Sequence, residues 1–260
     1  MKKLVYTLAG FVTLLSISCS KDDDSNSNSG DTAFLPLKAG NYWVYDVSSA
    51  AQSERDSVYT NHDTIIGANS YKKIQTGNTT PSGFFSNVIK NNGIRKDGDA
   101  LKLSGGTAVN FSAEFPFSIA VTDLVVFKES ATAGQELGAV SGTVEQQYEG
   151  QPFTLTYKLT TIADQTLPSY SVGGHNYTNV KKVKAVVNLS ITYSLEGFPV
   201  TVLTPQDVVT SYQYYAENIG VVNVETAFKY NIDPAIAAFL TIDPTTTQTQ
   251  QEVLNTYNVQ

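Results

Sequence analysis

Two histidines, His62 and His175, and one cysteine, Cys19, are the scarcest of the reactive side chains in this 260-residue chain. A transition-metal site needs imidazoles or thiolates at close spacing, as in His-x-x-x-His, and neither histidine has such a neighbour. No metal site is expected. His62 sits beside Asp63 in a polar stretch and reads as a solvated strand residue, while His175 follows Gly173-Gly174 and reads as an exposed turn residue. Serine is abundant, but no Gly-x-Ser-x-Gly elbow occurs. Asp97-Gly98-Asp99 lacks the alternating acidic run and later bidentate glutamate of a calcium loop, so it reads as a hairpin turn. A Ser-His-carboxylate site is defined by geometry rather than chain order, which keeps an extracellular hydrolase with scattered catalytic groups open as the alternative. No catalytic residue and no cofactor is otherwise expected. Fifteen tyrosines and twelve phenylalanines against one tryptophan suit sugar stacking, but also the cross-strand packing that strands ordinarily need, and packing is the favoured reading.

Cys19 has no partner for a disulfide. Ahead of it lie Lys2 and Lys3, an apolar run over 4–15 that is too short to span a bilayer, and the small residues of Ser16-Ile17-Ser18. Behind it comes a polar Asp- and Ser-rich stretch that cannot bury a thiol. These residues resemble a bacterial lipoprotein signal. The resemblance implies a leader over 1–18, a diacylglycerol on the Cys19 thiol and a further acyl chain on its freed amine. One chain alone anchors marginally and two or more effectively permanently, at about 0.8 kcal/mol per buried methylene. Palmitate is the expected type of acyl chain. Loss of Lys2 and Lys3 with the leader takes the formal net charge from −7 to −9. An acidic body without a basic stripe argues against nucleic acid and against anionic headgroups as partners. Contact with the membrane is expected through the lipid alone.

Lys21-Asp22-Asp23-Asp24, just past the cysteine, resembles the export signal of Bacteroidota-type surface lipoproteins. It implies an outer-membrane protein facing the cell exterior, with the periplasmic leaflet as the alternative. The segment 19–33 is Asp, Ser, Asn and Gly with few apolar residues, so it reads as a flexible tether. The fourteen residues that follow Cys19, 20–33, reach about 20 Å. Asp31-Thr32-Ala33, Asp56-Ser57-Val58 and Asp63-Thr64-Ile65 resemble the acceptor of O-glycosylation in the same bacteria, which would modify Thr32, Ser57 and Thr64. Chance alone supplies about one such tripeptide.

The rest, 34–260, shows no second linker and reads as one domain. Alternation of period two is its dominant signal: Phe153, Leu155, Tyr157 and Leu159 interleave with Thr154, Thr156, Lys158 and Thr160. Similar stretches over 42–47, 56–66, 71–76, 84–90, 121–129, 143–149, 180–193, 208–216 and 221–230 are predicted strands. Gly- and Asn-rich turns separate them. The Lys181-Lys182-Val183-Lys184 cluster alternates in the same way and reads as a solvated strand face. One short helix is predicted over 234–240, where Asp233 caps and Pro234 suits the first position. Strands without intervening helices pair antiparallel. The fold class is therefore mostly β, a single many-stranded antiparallel sheet forming a curved half-barrel or a sandwich.

Three segments carry a wider resemblance: Pro36-Leu37-Lys38-Ala39-Gly40-Asn41-Tyr42-Trp43-Val44-Tyr45, the stretch from Val172-Gly173-Gly174-His175 to Lys182-Val183, and Tyr214-Tyr215-Ala216-Glu217-Asn218-Ile219-Gly220-Val221-Val222. They are similar to segments of uncharacterised Bacteroidota-type surface lipoproteins, a resemblance that implies a half-barrel sheet like that of lipoprotein carriers and brings no catalytic residue. Its motifs read as structural, with Gly40 and Gly220 at turns and Trp43 and Tyr45 packing one strand face. The function expected is a non-enzymatic binding or interaction module at the cell surface. Its ligand would be apolar, held in a groove that the 234–240 helix fills only in part, or a glycan, or else it docks an envelope partner. The sequence points to no particular protein partner.

Overall fold

In the computed structural model, residues 32–109, 117–148, 151–195 and 197–260 are described; Cys19 and Lys21 to Asp24 lie outside them. The strands are β1 (Tyr42–Ser49), β2 (Ser53–Ile66), β3 (Asn69–Thr76), β4 (Gly93–Asp97), β5 (Ala100–Val109), β6 (Phe117–Lys128), β7 (Glu136–Tyr148), β8 (Gln151–Val172), β9 (His175–Leu195), β10 (Phe198–Ala216), β11 (Gly220–Asn231) and β12 (Thr245–Asn258). Helix α1 (Phe84–Ile89) joins β3 to β4, and α2 (Pro234–Leu240) joins β11 to β12. All twelve strands form one sheet in the order β6-β5-β4-β3-β2-β1-β12-β11-β10-β9-β8-β7. Every described pairing is antiparallel. The expected half-barrel is thus found as a nearly closed single sheet, and the sandwich is not. Each neighbour along the sheet is the next strand in sequence except β12, which pairs with β1 and joins the two ends of the chain.

The sheet closes by overlap rather than by a ladder. At the seam β6 tucks beneath the far edge: a Cβ on Gly138 of β7 would lie 2.9 Å from Leu124 Cδ1 and 3.2 Å from the Val125 backbone. Thr161 Oγ1 of β8 donates to Val125 O at 2.6 Å. The inward face is mostly apolar, with Trp43, Tyr45, Leu101, Leu103, Leu155, Val209 and Val224 all buried, and Asp56 and Glu252 are buried polar exceptions on it. Trp43 and Tyr45 share that face as expected, donating to Ile219 O at 2.6 Å and Val221 O at 2.9 Å. Gly220 has φ +112°, a backbone that L side chains rarely adopt, and a side chain there would also press to 3.0 Å from Trp43 Nε1, so both favour glycine at the β10–β11 turn.

Two corrections to the sequence reading matter. The 84–90 segment is a helix, not a strand. Phe84, Phe85, Val88 and Ile89 recur at one-, three- and four-residue steps, which lines one helical face rather than one sheet face. The helix count is accordingly two rather than one, and the helix in the interior is α1. The expected helix does form as α2, capped by Asp233, whose side chain accepts from Ala235 N. It buries only Ala237 and Leu240 and leaves Phe239 exposed, stacked on Tyr193 at 6.2 Å.

Candidate functional site

The interior is filled from two directions. Residues 32–37 enter from one end, with Phe34 fully buried against Phe127 at 5.2 Å. Helix α1 lies across the remaining space, and Phe84 meets Phe228 edge-on at 5.3 Å. Two apolar hollows of about 60 Å³ each remain beside α1. Tyr45, Phe85 and Ile89 wall one, and Phe84, Val88, Leu124 and Val209 wall the other. Either is far below the 300 Å³ or more of an ordinary small-molecule site.

What holds α1 is polar, and its two carboxyl groups, Asp56 and Glu252, are buried. Asp56 on β2 accepts from Gly83 N at 2.6 Å, Ser82 N at 3.1 Å and Asn78 Nδ2 at 3.0 Å. Gln250 on β12 accepts from Phe84 N at 2.6 Å, and Glu252 accepts from Phe85 N at 2.6 Å, Ser86 N at 3.2 Å and Ser86 Oγ at 2.7 Å. The amide groups that open a helix have no partners within it. Here two strands supply them. Burial pushes the Glu252 carboxyl up to about 7, against the lowering effect of the bonds it accepts.

That shift has a pH signature. Between the ordinary carboxylate value and about 7, the folded chain holds a proton that the unfolded chain has released. The Glu252 contribution to stability is therefore fully present below that window and declines as pH rises through it. Unfolding free energies from urea titrations at pH 5 to 8 are expected to fall, at up to about 1.4 kcal/mol per pH unit from this group, and Glu252→Gln is expected to flatten that slope. An unchanged slope in the variant would assign the titration elsewhere. On the acid side the sign reverses. Arg95 hydrogen-bonds Asp123 through Nε at 2.8 Å and holds its carboxyl at about 2, so that contribution is lost as pH falls toward 2.

A hollow of about 540 Å³ lies on the opposite face of the sheet, across β10, β11, β12 and the end of β1. Strand register builds it in rows. Tyr214, Asn223, Val253 and Asp46 stand in one cross-strand row; Tyr212, Glu225, Gln251 and Ser48 form the next; Thr210, Ala227 and Thr249 form the third. The far end of the β8–β9 hairpin curls over the first row, stacking Tyr170 on Tyr214 at 4.4 Å and bringing Gly173 against Val253. The second row stands up as a rim. The third has only short side chains, which with Ala50 leave a low floor.

The rim is held by its own hydrogen bonds. Glu225 accepts from Tyr214 OH at 3.0 Å and from Asn223 Nδ2 at 3.2 Å, and Gln251 Nε2 donates to Asn223 Oδ1 at 3.1 Å. Burial, reinforced by Glu225, raises the Tyr214 phenol above its ordinary value and keeps it a neutral donor. Lys182 Nζ stands 4.0 Å over the Tyr212 ring and 3.0 Å from Asp164. These interactions fix the rim in place before any ligand arrives.

The residues singled out from sequence are dispersed. His62 is exposed on β2; His175 lines a separate cleft of about 340 Å³ with Tyr177, Leu254 and Tyr257. No hydrogen bond joins either imidazole to a carboxylate among the described residues, and no group of three or more His, Cys, Asp or Glu gathers there as a metal site. Asp97 and Asp99 flank the β4–β5 turn as expected, Asp97 paired with Lys102 and Asp99 with Ser130. Thr32 is buried, Ser57 is half-buried directly beneath Gly77, and Thr64 is half-buried toward the end of β2. The rim and floor residues escaped sequence reading because each is an ordinary polar strand residue. Only the alternation of Thr210, Tyr212 and Tyr214 could have placed them on one face.

No family model matches the chain. No curated protein matches it either. A solved structure that does match is a candidate lipoprotein from Parabacteroides distasonis, 14% identical, with 87% of this chain and 99% of that one covered at a TM-score of 0.38. A likeness that loose transfers neither architecture nor role.

Proposed function

We propose that this protein is a lipid-anchored, non-enzymatic binding module of the outer membrane, displayed on the cell exterior, that holds its ligand on the outer saddle of the sheet rather than inside it. The observation that carries the binding role is the contrast in space: about 540 Å³ on the outer face against about 60 Å³ in each interior hollow. The hollow is rimmed by prearranged hydrogen-bonding groups, and neither histidine lines it. What supports the anchor is Cys19 behind its apolar leader and ahead of a polar tether, and what supports display is Lys21-Asp22-Asp23-Asp24.

The full-length protein made in a Bacteroidota host is expected to incorporate labelled palmitate and to partition with detergent. Cys19→Ser is expected to do neither, and label retained by that variant sinks the anchor. Antibody is expected to stain intact cells, and alanine at Lys21, Asp22 and Asp23 to abolish the staining; stain seen only after permeabilisation places the body in the periplasm. The same protein is expected not to raise the fluorescence of N-phenyl-1-naphthylamine. A saturable rise would move the ligand to the interior.

A further inference from the structure

We infer, resting on the binding reading above, that the saddle takes a neutral, polyhydroxylated ligand, a short stretch of glycan. Its lining excludes the other classes by charge and by hydrogen bonding. No Lys, Arg or His lines it, and Glu225 is its one ionisable carboxylate. An anionic ligand would meet that charge with no compensating cation, on a body that is itself acidic. The nearest lysine described above, Lys182, is paired with Asp164 and set over the tyrosine rings. An apolar ligand would cover the hydroxyls of Ser48, Thr210 and Thr249 without offering them a hydrogen-bonding partner, and each group left unpaired counts against it. A metal ion or organic cation would find a single carboxylate whose two oxygens already accept from Tyr214 and Asn223.

A neutral polyol meets none of these penalties. Hydroxyl groups both donate and accept, and the lining offers the same dual capacity. Ser48, Thr210, Thr249 and the Tyr212 phenol do both, while the second lone pairs of Glu225 and the Gln251 carbonyl oxygen accept. The volume lies within the usual 300–1,000 Å³ of a small-molecule site. Because the floor crosses three strands and the end of β1 without a closing wall, a segment of polymer can lie along it.

The test is an array of neutral, anionic and cationic oligosaccharides probed with the full-length protein in detergent, followed by titration of the best binder. Retention of a neutral oligosaccharide is expected, weakened at least tenfold by Ala227→Phe, which raises the floor. Thr249→Tyr, which fills the same hollow from another strand, is expected to do likewise, with both variants keeping the wild-type melting midpoint. No neutral binder on the array overturns the inference. A neutral binder indifferent to both variants overturns the saddle as its seat. A charged or apolar compound lost in both variants overturns the glycan class alone and leaves the binding module standing.

Discussion

Trp43→Ala is expected to lower the unfolding free energy by about 3 to 5 kcal/mol, a large share of the 5 to 15 kcal/mol typical of a domain. The indole is 2% exposed on β1. It packs against the β10–β11 turn, donates from Nε1 to Ile219 O, and stands at the rim of the hollow shared with Leu35 and Tyr45. Alanine would enlarge that hollow by most of a bicyclic ring. The carbonyl of Ile219 would also lose its donor. Urea unfolding followed by circular dichroism measures the loss. Because this is the sole tryptophan, native emission is expected to be blue-shifted and to move red on unfolding. An emission maximum already at the wavelength of free tryptophan in the native protein would contradict the burial, and with it the expected cost.

Asp56→Ala is expected to be comparably severe, at about 3 to 5 kcal/mol, although no apolar contact is removed. The carboxylate is fully buried and receives Gly83 N, Ser82 N and Asn78 Nδ2. Alanine leaves the buried Gly83 N and the half-buried Ser82 N facing a void, at about 1 to 3 kcal/mol for each donor left unpaired, while the exposed Asn78 amide can turn to water. The damage should also be local. Amide hydrogen exchange across 82–90 is expected to accelerate well before that of β10 and β11, since α1 loses its grip on β2 while keeping that on β12. Uniform acceleration across the sheet would show instead that α1 and the sheet open as one unit.

These two residues show what the sequence could and could not disclose. Trp43 was legible: a lone indole between Tyr42 and Val44, after the Gly40-Asn41 turn, alternates with Tyr45, and period two puts both on the inner face. Asp56 was not legible. It lies in a polar stretch, and nothing local distinguishes a carboxylate that receives a distant helix from one that meets water. Strand β12 was missed for the same reason. Gln250 and Glu252 interrupt any apolar alternation, yet their polarity is the condition for holding α1. Helix α1 carried its own signal, the spacing of Phe84, Phe85, Val88 and Ile89, which the aromatic and β-branched content of the segment outweighed. The saddle was the least legible feature, because a hollow made by short side chains is a property of three strands in register and of no single one.

The pairing of β1 with β12 sets a timetable. A polypeptide delivered from its amino end presents Tyr42–Ser49 first and Thr245–Asn258 last, and the eight-residue ladder between them joins positions roughly two hundred apart. Gln260 N donates to Asn41 Oδ1 across the same junction at 3.1 Å. Contacts of such range are reached slowly, because the intervening chain must first be brought together. Until the final strand arrives, β1 and β11 each keep an unpaired edge, and α1 lacks the side chains of Gln250 and Glu252. The fourteen residues of β12 thus complete the sheet and seat the internal helix in a single step. A chain cut short before Thr245 would expose two raw strand edges, where another unfinished copy could pair in place of the missing strand.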